Sequence, residues 1–339
     1  MEKALAEFLS RQRVRLASIH PALLPVADAI DDFVLGSGKR LRPAFAYWGY
    51  RGAGGEDSHQ LVTALAALEL VQASALVHDD LIDASDTRRG EPSIHRRFAG
   101  IHSGQRWQGD PDNFGRCAAI LVGDLQLVWS DELLHGAGLA PAAVARARPV
   151  FDQMRTEVTA GQYLDVVGQV TGEVSLEWAS TVARYKSAKY TVERPLLFGA
   201  ALADAPPELA DAYSAYGLPL GEAFQLRDDV LGVFGDPALT GKPAGDDLRE
   251  GKRTYLVAAA LEAADPIQYA TLRQGLGRAD ADIEGLRAII NTTGALSRTE
   301  ARITDLTAQA VRAIAGADLD PEARQVLTEL AEAATQRIR

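Results

Sequence analysis

The 339-residue chain carries 46 acidic against 35 basic side chains, a net charge of -11, which argues against a general nucleic-acid binder because counterion release needs a basic face. Its single cysteine, Cys117, excludes an internal disulfide or a cysteine-rich metal site, fits a reducing cytoplasm, and reads as a small buried hydrophobe. Ala and Leu dominate the apolar residues and the alternating runs of a sheet are rare, so the expected class is all-α.

In chain order, a first helix is predicted over residues 2–18, where Glu2, Lys3, Glu7, Arg11 and Arg13 interrupt any secretory signal. A second starts near Pro21 and stops at Gly36-Ser37-Gly38; a third follows from Pro43 to the glycines at 52–55. A long helix spans 58–83. Its apolar stretch Leu61 to Val77 contains Glu69 and Gln72, so it reads as a buried core helix and not as a membrane span. Residues 87–115 read largely as a functional loop with a short helix inside. Helices are then predicted over 116–135, 141–168, 175–202, 207–233 and 253–264, with amphipathic segments to the end. No repeat or low-complexity linker divides the chain, so a single domain over 1–339 is expected.

The long helix ends in Asp79-Asp80-Leu81-Ile82-Asp83. A helix C-terminus already carries partial negative charge, so aspartates there call for a cation. Asp79 and Asp83 stand four apart on one face, and magnesium suits such a pair because it takes one or two carboxylates and completes its shell with water and phosphate. Arg88 and Arg89 follow, with guanidinium groups suited to phosphate or to neutralising the aspartates. Residues 224–236 repeat the arrangement: Gln225, then Asp228 and Asp229, then a glycine-rich exit. Two acidic sites of this kind could hold several magnesium ions around one diphosphate. Lys242 and Lys252 flank an acidic turn at 246–247, and Tyr185-Lys186-Ser187 places a cation and a hydroxyl on a helix.

Together these segments resemble the trans-isoprenyl diphosphate synthases, the polyprenyl synthetase family, over at least residues 36–256, and within it bacterial geranylgeranyl diphosphate synthases. Residues 36–43, Gly-Ser-Gly-Lys-Arg-Leu-Arg-Pro, look like the family's isopentenyl diphosphate loop; residues 79–83 look like its first DDxxD motif. The resemblance implies one large helical bundle around a central cavity. It implies that Lys39, Arg42, Gln72 and Arg89 hold isopentenyl diphosphate, while Arg88, Lys186, Ser187, Gln225, Lys242 and Lys252 contact the allylic diphosphate. Asp79, Asp83, Asp228 and Asp229 are the implied ligands for up to three magnesium ions, and Asp79, Asp80, Asp83, Arg88, Lys186, Asp228 and Lys242 the implied catalytic set. The implied reaction is ionisation of dimethylallyl, geranyl or farnesyl diphosphate followed by attack of isopentenyl diphosphate, in a cytoplasmic homodimer. Two departures stand out: Gly232 occupies the place of a third aspartate, with Asp236 one turn on, and Ser187 replaces the usual threonine.

Product length depends on what lies below Asp79. Ser74 and Ala75 are small where fifteen-carbon synthases carry aromatics, and Leu68, on the stripe of Asp79 and roughly 16 Å deeper, forms a floor with Val71. Geranylgeranyl diphosphate, of twenty carbons, is the expected product; twenty-five carbons or more, and farnesyl diphosphate, are the alternatives. A terpene cyclase is disfavoured because it needs no second diphosphate site such as Lys39 and Arg42 provide, and a non-catalytic synthase subunit because both acidic clusters are kept.

Overall fold

Capping side chains set where the helices begin. In the computed structural model, which describes residues 1–36, 38–172, 174–236, 245–278 and 280–335, the order is α1 (Glu2–Ile19), a 3-10 turn (Pro21–Leu23), α2 (Leu24–Leu35), α3 (Leu41–Gly52), α4 (His59–Ile82), the strands β1 (Thr87–Arg88) and β2 (Glu91–Pro92), α5 (Ile94–Gly104), α6 (Pro111–His135) and α7 (Pro141–Thr171). Then come α8 (Leu176–Val182), a π-helix (Ala183–Glu193), α9 (Arg194–Leu202), α10 (Pro207–Phe234), α11 (Asp246–Glu250), α12 (Tyr255–Ala263), α13 (Pro266–Gly275), α14 (Ile283–Thr292), α15 (Ala295–Ala315) and α16 (Pro321–Thr335). The class is all-α. Ser58 starts α4 by accepting a hydrogen bond from the Leu61 amide, Asp110 starts α6 with Pro111 at the first helical position, and Asp265 opens α13 with a capping box to Gln268.

Two expectations need correcting. Residues 87–115 are more ordered than a loop: β1 and β2 form an antiparallel ribbon, α5 fills eleven residues, and α6 begins at Pro111 instead of 116. Arginines and histidines on α5 hid its periodicity, yet His95, Phe98, Ala99 and His102 are its buried face. Cys117 is exposed on α6, because the buried stripe of that helix runs through Gly115, Ala119 and Val122 and leaves position 117 on the outside. The predicted helix over 175–202 is present but changes to π geometry in its middle third.

The contacts of the chain divide it into two compact units, Met1–Tyr47 with Glu56–Val144, and Trp48–Gly55 with Ala145–Arg339. In the first, α4 packs on α6, α5 on α6 and α1 on α2. Leu61, Leu65, Leu68 and Leu70 of α4 are fully buried, each contributing about 1.5–3 kcal/mol of apolar transfer free energy. By length and apolarity α4 could cross a membrane, but its burial is that of a core helix, as its sequence implies. It runs antiparallel to α6: Gly138 lies beside Gln60 at one end, and at the other Gly123 lets His78 approach, where a Cβ would stand 2.2 Å from the imidazole Nε2.

In the second unit α10 packs against α15 and the π-helix. Tyr213, Tyr216, Phe151 and Phe198 are its largest fully buried side chains, and the Tyr216 hydroxyl donates to the Leu327 carbonyl at 2.7 Å, which satisfies its polar end. Arg227 holds Glu300 by two hydrogen bonds of 2.6 Å, tying the C-terminal part of α10 to α15.

Candidate active site

In the first unit, α4 delivers Asp79, Asp80 and Asp83 at its C-terminal turn, where Asp83 is the capping residue and its amide bonds to the Asp79 carbonyl at 2.8 Å. Ala84 follows in the left-handed region at φ 52°, turning the chain toward the β1–β2 ribbon that presents Arg88 and Arg89. The three carboxylates have different fates. Asp80 is buried and receives Arg88 through Nε at 2.8 Å and through a close contact with Nη2, whereas Arg88 reaches Asp79 only at 3.5 Å. Burial disfavours charge on Arg88, but the hydrogen bond and charge of Asp80, with Asp79 and Asp83 behind it, outweigh that and hold its pKa above the usual value.

The loop before α3 joins the same neighbourhood. Arg40, at φ 48°, spends its guanidinium on structure: Nη1 donates to the buried Glu69 at 2.5 Å, Nε to Glu2 at 2.8 Å and Nη2 to the Val34 carbonyl at 2.7 Å. A Cβ on Gly38 would lie 3.2 Å from Arg40 Nη1 and 3.6 Å from Arg89 Nη2, so this loop and the ribbon arginine meet. Arg89 is itself left-handed at φ 56°; non-glycine residues held there cost about 1–3 kcal/mol each and persist where the surroundings over-determine them. Lys39 is exposed in this loop, and Arg42 is half-buried in the first turn of α3 that follows it. Gln72, on the α4 face two turns below Asp79, has a buried side-chain oxygen that accepts no hydrogen bond. Between Gln72 and Asp79, Ser74 is buried and Ala75 half-buried; below Gln72, Val71 and Leu68 are buried.

In the second unit, the last three turns of α10 carry Gln225, Asp228 and Asp229. Gln225 Nε2 donates to Asp229 Oδ1 at 2.7 Å. Burial pushes the Asp229 carboxyl up to about 8, against that hydrogen bond and with the charges of Asp247 and Asp228 adding to the rise. Asp228 is half-buried. Asp247, on α11, lies against the gap left by Gly232: a Cβ at position 232 would stand 1.9 Å from Asp247 Oδ2. Lys252 donates to Asp247 at 3.3 Å and pairs with Glu250 at 2.7 Å. On the π-helix, Lys186 pairs with Asp165 of α7 at 2.7 Å, and Ser187 is half-buried beside it. Asp236 is exposed, and Lys242 lies outside the described residues.

Both donor sets fit a hard divalent cation. They offer only oxygen, and in the first unit they stand at the negative end of a helix with Arg88 directed mainly to Asp80. Among the described residues no three acidic or imidazole side chains are preassembled as a metal cage. Magnesium keeps waters and takes substrate oxygens beside one or two carboxylates. Sequence reasoning assigned no role to Asp247 or Asp165. The missing side chain at Gly232 was the signal for the first, since the vacated volume had to be filled. No local signal marked Asp165, which is four residues past Gly161 on a long polar helix.

Comparison with known proteins supplies the relationship. The family model for polyprenyl synthetase matches residues 25–293. A geranylfarnesyl diphosphate synthase of Aeropyrum pernix is 30% identical over 307 residues, 89% of this chain and 91% of that protein. A geranylgeranyl diphosphate synthase of Methanosarcina mazei is 32% identical over 256 residues, 75% of this chain and 71% of the relative. The crystal structure of a geranylgeranyl pyrophosphate synthase from Corynebacterium glutamicum, complexed with isoprenyl diphosphate and magnesium, superposes with a TM-score of 0.96 at 42% identity, covering 99% of this chain and 97% of that one. The all-α fold, the two aspartate-bearing helix ends and the match over most of the chain agree: this protein is a prenyltransferase and belongs to the polyprenyl synthetase family.

Proposed function

We propose that the protein condenses isopentenyl diphosphate head to tail (1'-4) with allylic diphosphates and releases all-trans geranylgeranyl diphosphate. The observation that carries this reading lies in the first unit: the loop bearing Lys39, which leads into the first turn of α3 with Arg42, meets Arg89, next to the ribbon arginine that holds Asp80 of α4. An anion-binding loop beside an acidic helix end is what two diphosphates require, and a cyclase has no use for it. Lys39, Arg42, Arg89 and Gln72 hold the diphosphate of isopentenyl diphosphate. Arg88, Lys186, Ser187, Gln225, Lys242 and Lys252 hold that of the allylic substrate, of five, ten or fifteen carbons.

Asp79, Asp83, Asp228 and Asp229 bind magnesium, up to three ions, with Asp247 filling the place of the aspartate that Gly232 lacks. Magnesium there supplies charge neutralisation for the departing diphosphate. Asp80, engaged by Arg88, orients that arginine toward the substrate. The allylic C–O bond breaks with its electron pair leaving on diphosphate, the double bond of isopentenyl diphosphate attacks the allylic cation, and a proton passes to the released diphosphate. The cationic side chains favour this sequence because their attraction grows as charge develops on the leaving group.

Small Ser74 and Ala75, with Leu68 and Val71 deeper on α4, support a twenty-carbon product, and two of the similar proteins are named for that length. We read residues 1–339 as one synthase domain, since the family match spans both compact units. We infer a cytoplasmic homodimer: Cys117 is the sole cysteine, and Ile120, Leu121, Leu127 and Val128 stand exposed along one face of α6, a stripe suited to a second copy. The test is incubation with magnesium, isopentenyl diphosphate and each primer, with product length read by mass spectrometry. Twenty-carbon diphosphate is expected; cyclised hydrocarbon formed without consumption of isopentenyl diphosphate would overturn the proposal.

A further inference from the structure

The eleven-residue π-helix departs from α geometry in the middle of the second unit, and it carries Lys186 and Ser187. Segments with i→i+5 bonding are rare and concentrate at functional sites. An intrinsically poorer geometry persists only where neighbours impose it, and here they do so from two sides. On α7, Glu157, Gly161 and Asp165 are spaced by four and form one stripe. Asp165 takes Lys186 at 2.7 Å. Gly161 admits the Lys186 backbone so closely that a Cβ would stand 2.3 Å from its nitrogen. Glu157 receives Arg194 at 2.7 and 2.8 Å and Lys189 at 3.2 Å.

From the other side, α10 presents Gly217 and Gly221, whose absent Cβ atoms would lie 2.7 Å from the Glu193 Cα and 2.5 Å from the Ala188 Cα. Ser214 donates to Glu193 at 3.1 Å. Glu157, Lys189, Glu193 and Arg194 are 13%, 14%, 5% and 10% exposed, a nearly dry and charge-balanced quartet. The glycines fix how near the segment sits. They limit sliding only by excluding clashes and supply no directional contact to α7. The two-point Glu157–Arg194 contact at the end of the segment supplies one, because a guanidinium fork meets a carboxylate in only one alignment.

We propose that Glu157 is a positioning residue: by gripping Arg194 and Lys189 it sets the register of the π-helix on α7 and thereby places Lys186 and Ser187 for the allylic diphosphate. This rests on the role given to Lys186 under the proposed function. The test is steady-state kinetics of Glu157→Gln, Lys186→Ala and the double variant, each with magnesium, isopentenyl diphosphate and farnesyl diphosphate. Lys186→Ala should raise KM for the allylic diphosphate. Glu157→Gln should raise the same KM about tenfold, with KM for isopentenyl diphosphate and kcat within about twofold.

In the double variant the Glu157 change should add less than about twofold, because a residue acting mainly through Lys186 has only the Ser187 hydroxyl left to act through. Independent, multiplying effects would overturn the proposal while leaving the role of Lys186 intact. So would a fall in kcat that tracks the folded fraction with both KM values unchanged, the sign of a merely structural part. An unchanged allylic KM in Lys186→Ala would instead overturn the role of Lys186, and the positioning proposal with it. Should Glu157→Gln not fold, Arg194→Lys keeps the charge, gives up the two-point contact, and is read the same way.

Discussion

The two aspartate-bearing helix ends look alike in sequence and differ in how each handles its buried carboxylate. At the end of α4, Asp80 is buried against a cation, Arg88. At the end of α10, Asp229 is buried against a neutral amide, Gln225, and its carboxyl is pushed up to about 8. In the first pair removing one partner strands a charge. In the second it strands at most a hydrogen bond. Doubled aspartates therefore do not imply doubled chemistry: Asp79, Asp83 and Asp228 are half-buried, whereas of the two buried members Asp80 is taken up by the Arg88 cation and Asp229 is held by the Gln225 amide.

The sharpest test of this division lies in activity. Asp79→Ala should lower kcat about a thousandfold, the scale of losing one principal electrostatic element, in single-turnover assays with magnesium; Asp228→Ala should act alike, and a loss below tenfold in either would break the parallel between the sites. Stability should separate them. Asp80→Asn leaves Arg88 buried without its counter-charge and is expected to cost about 3–5 kcal/mol in urea unfolding of the metal-free protein. Asp229→Asn keeps the shape and the acceptor for Gln225, so a change within about 1 kcal/mol is expected. Equal costs in the two variants would sink the contrast.

The smallest effect concerns pH. Burial pushes the Glu157 carboxyl up, but Arg194 and Lys189 outweigh it and hold it below its ordinary value of 4.5. The unfolded chain then binds the proton more tightly, so this contribution is complete above pH 4.5 and is lost as pH falls through the lower folded value. Urea unfolding between pH 3 and about 6 should show wild type losing stability on acidification more steeply than Glu157→Gln; parallel slopes would show that the carboxylate is not held by its partners.

The all-α class and most helices were legible because apolar periodicity and capping residues are local. So were the carboxylates, since DDxxD at a helix end is a charge pattern in five consecutive residues. A short helix was legible between residues 87 and 115, but its extent as α5 was not, because its buried face uses His95 and His102, which count as polar in any periodicity. Asp165 and Asp247 were hidden for another reason: their roles come from partners 21 residues away at Lys186 and on a neighbouring helix at Gly232. The change to π geometry after Val182 was equally invisible, since it is imposed by glycines on α7 and α10 and leaves no mark in the segment itself.

The vacancy at Gly232 couples two helices. A Cβ at position 232 would stand 1.9 Å from the Asp247 Oδ2, so any side chain there requires the Asp247 carboxylate to turn aside. Restoring an aspartate at position 232 would therefore not simply add a carboxylate to this helix end; it would displace the one that α11 already places there.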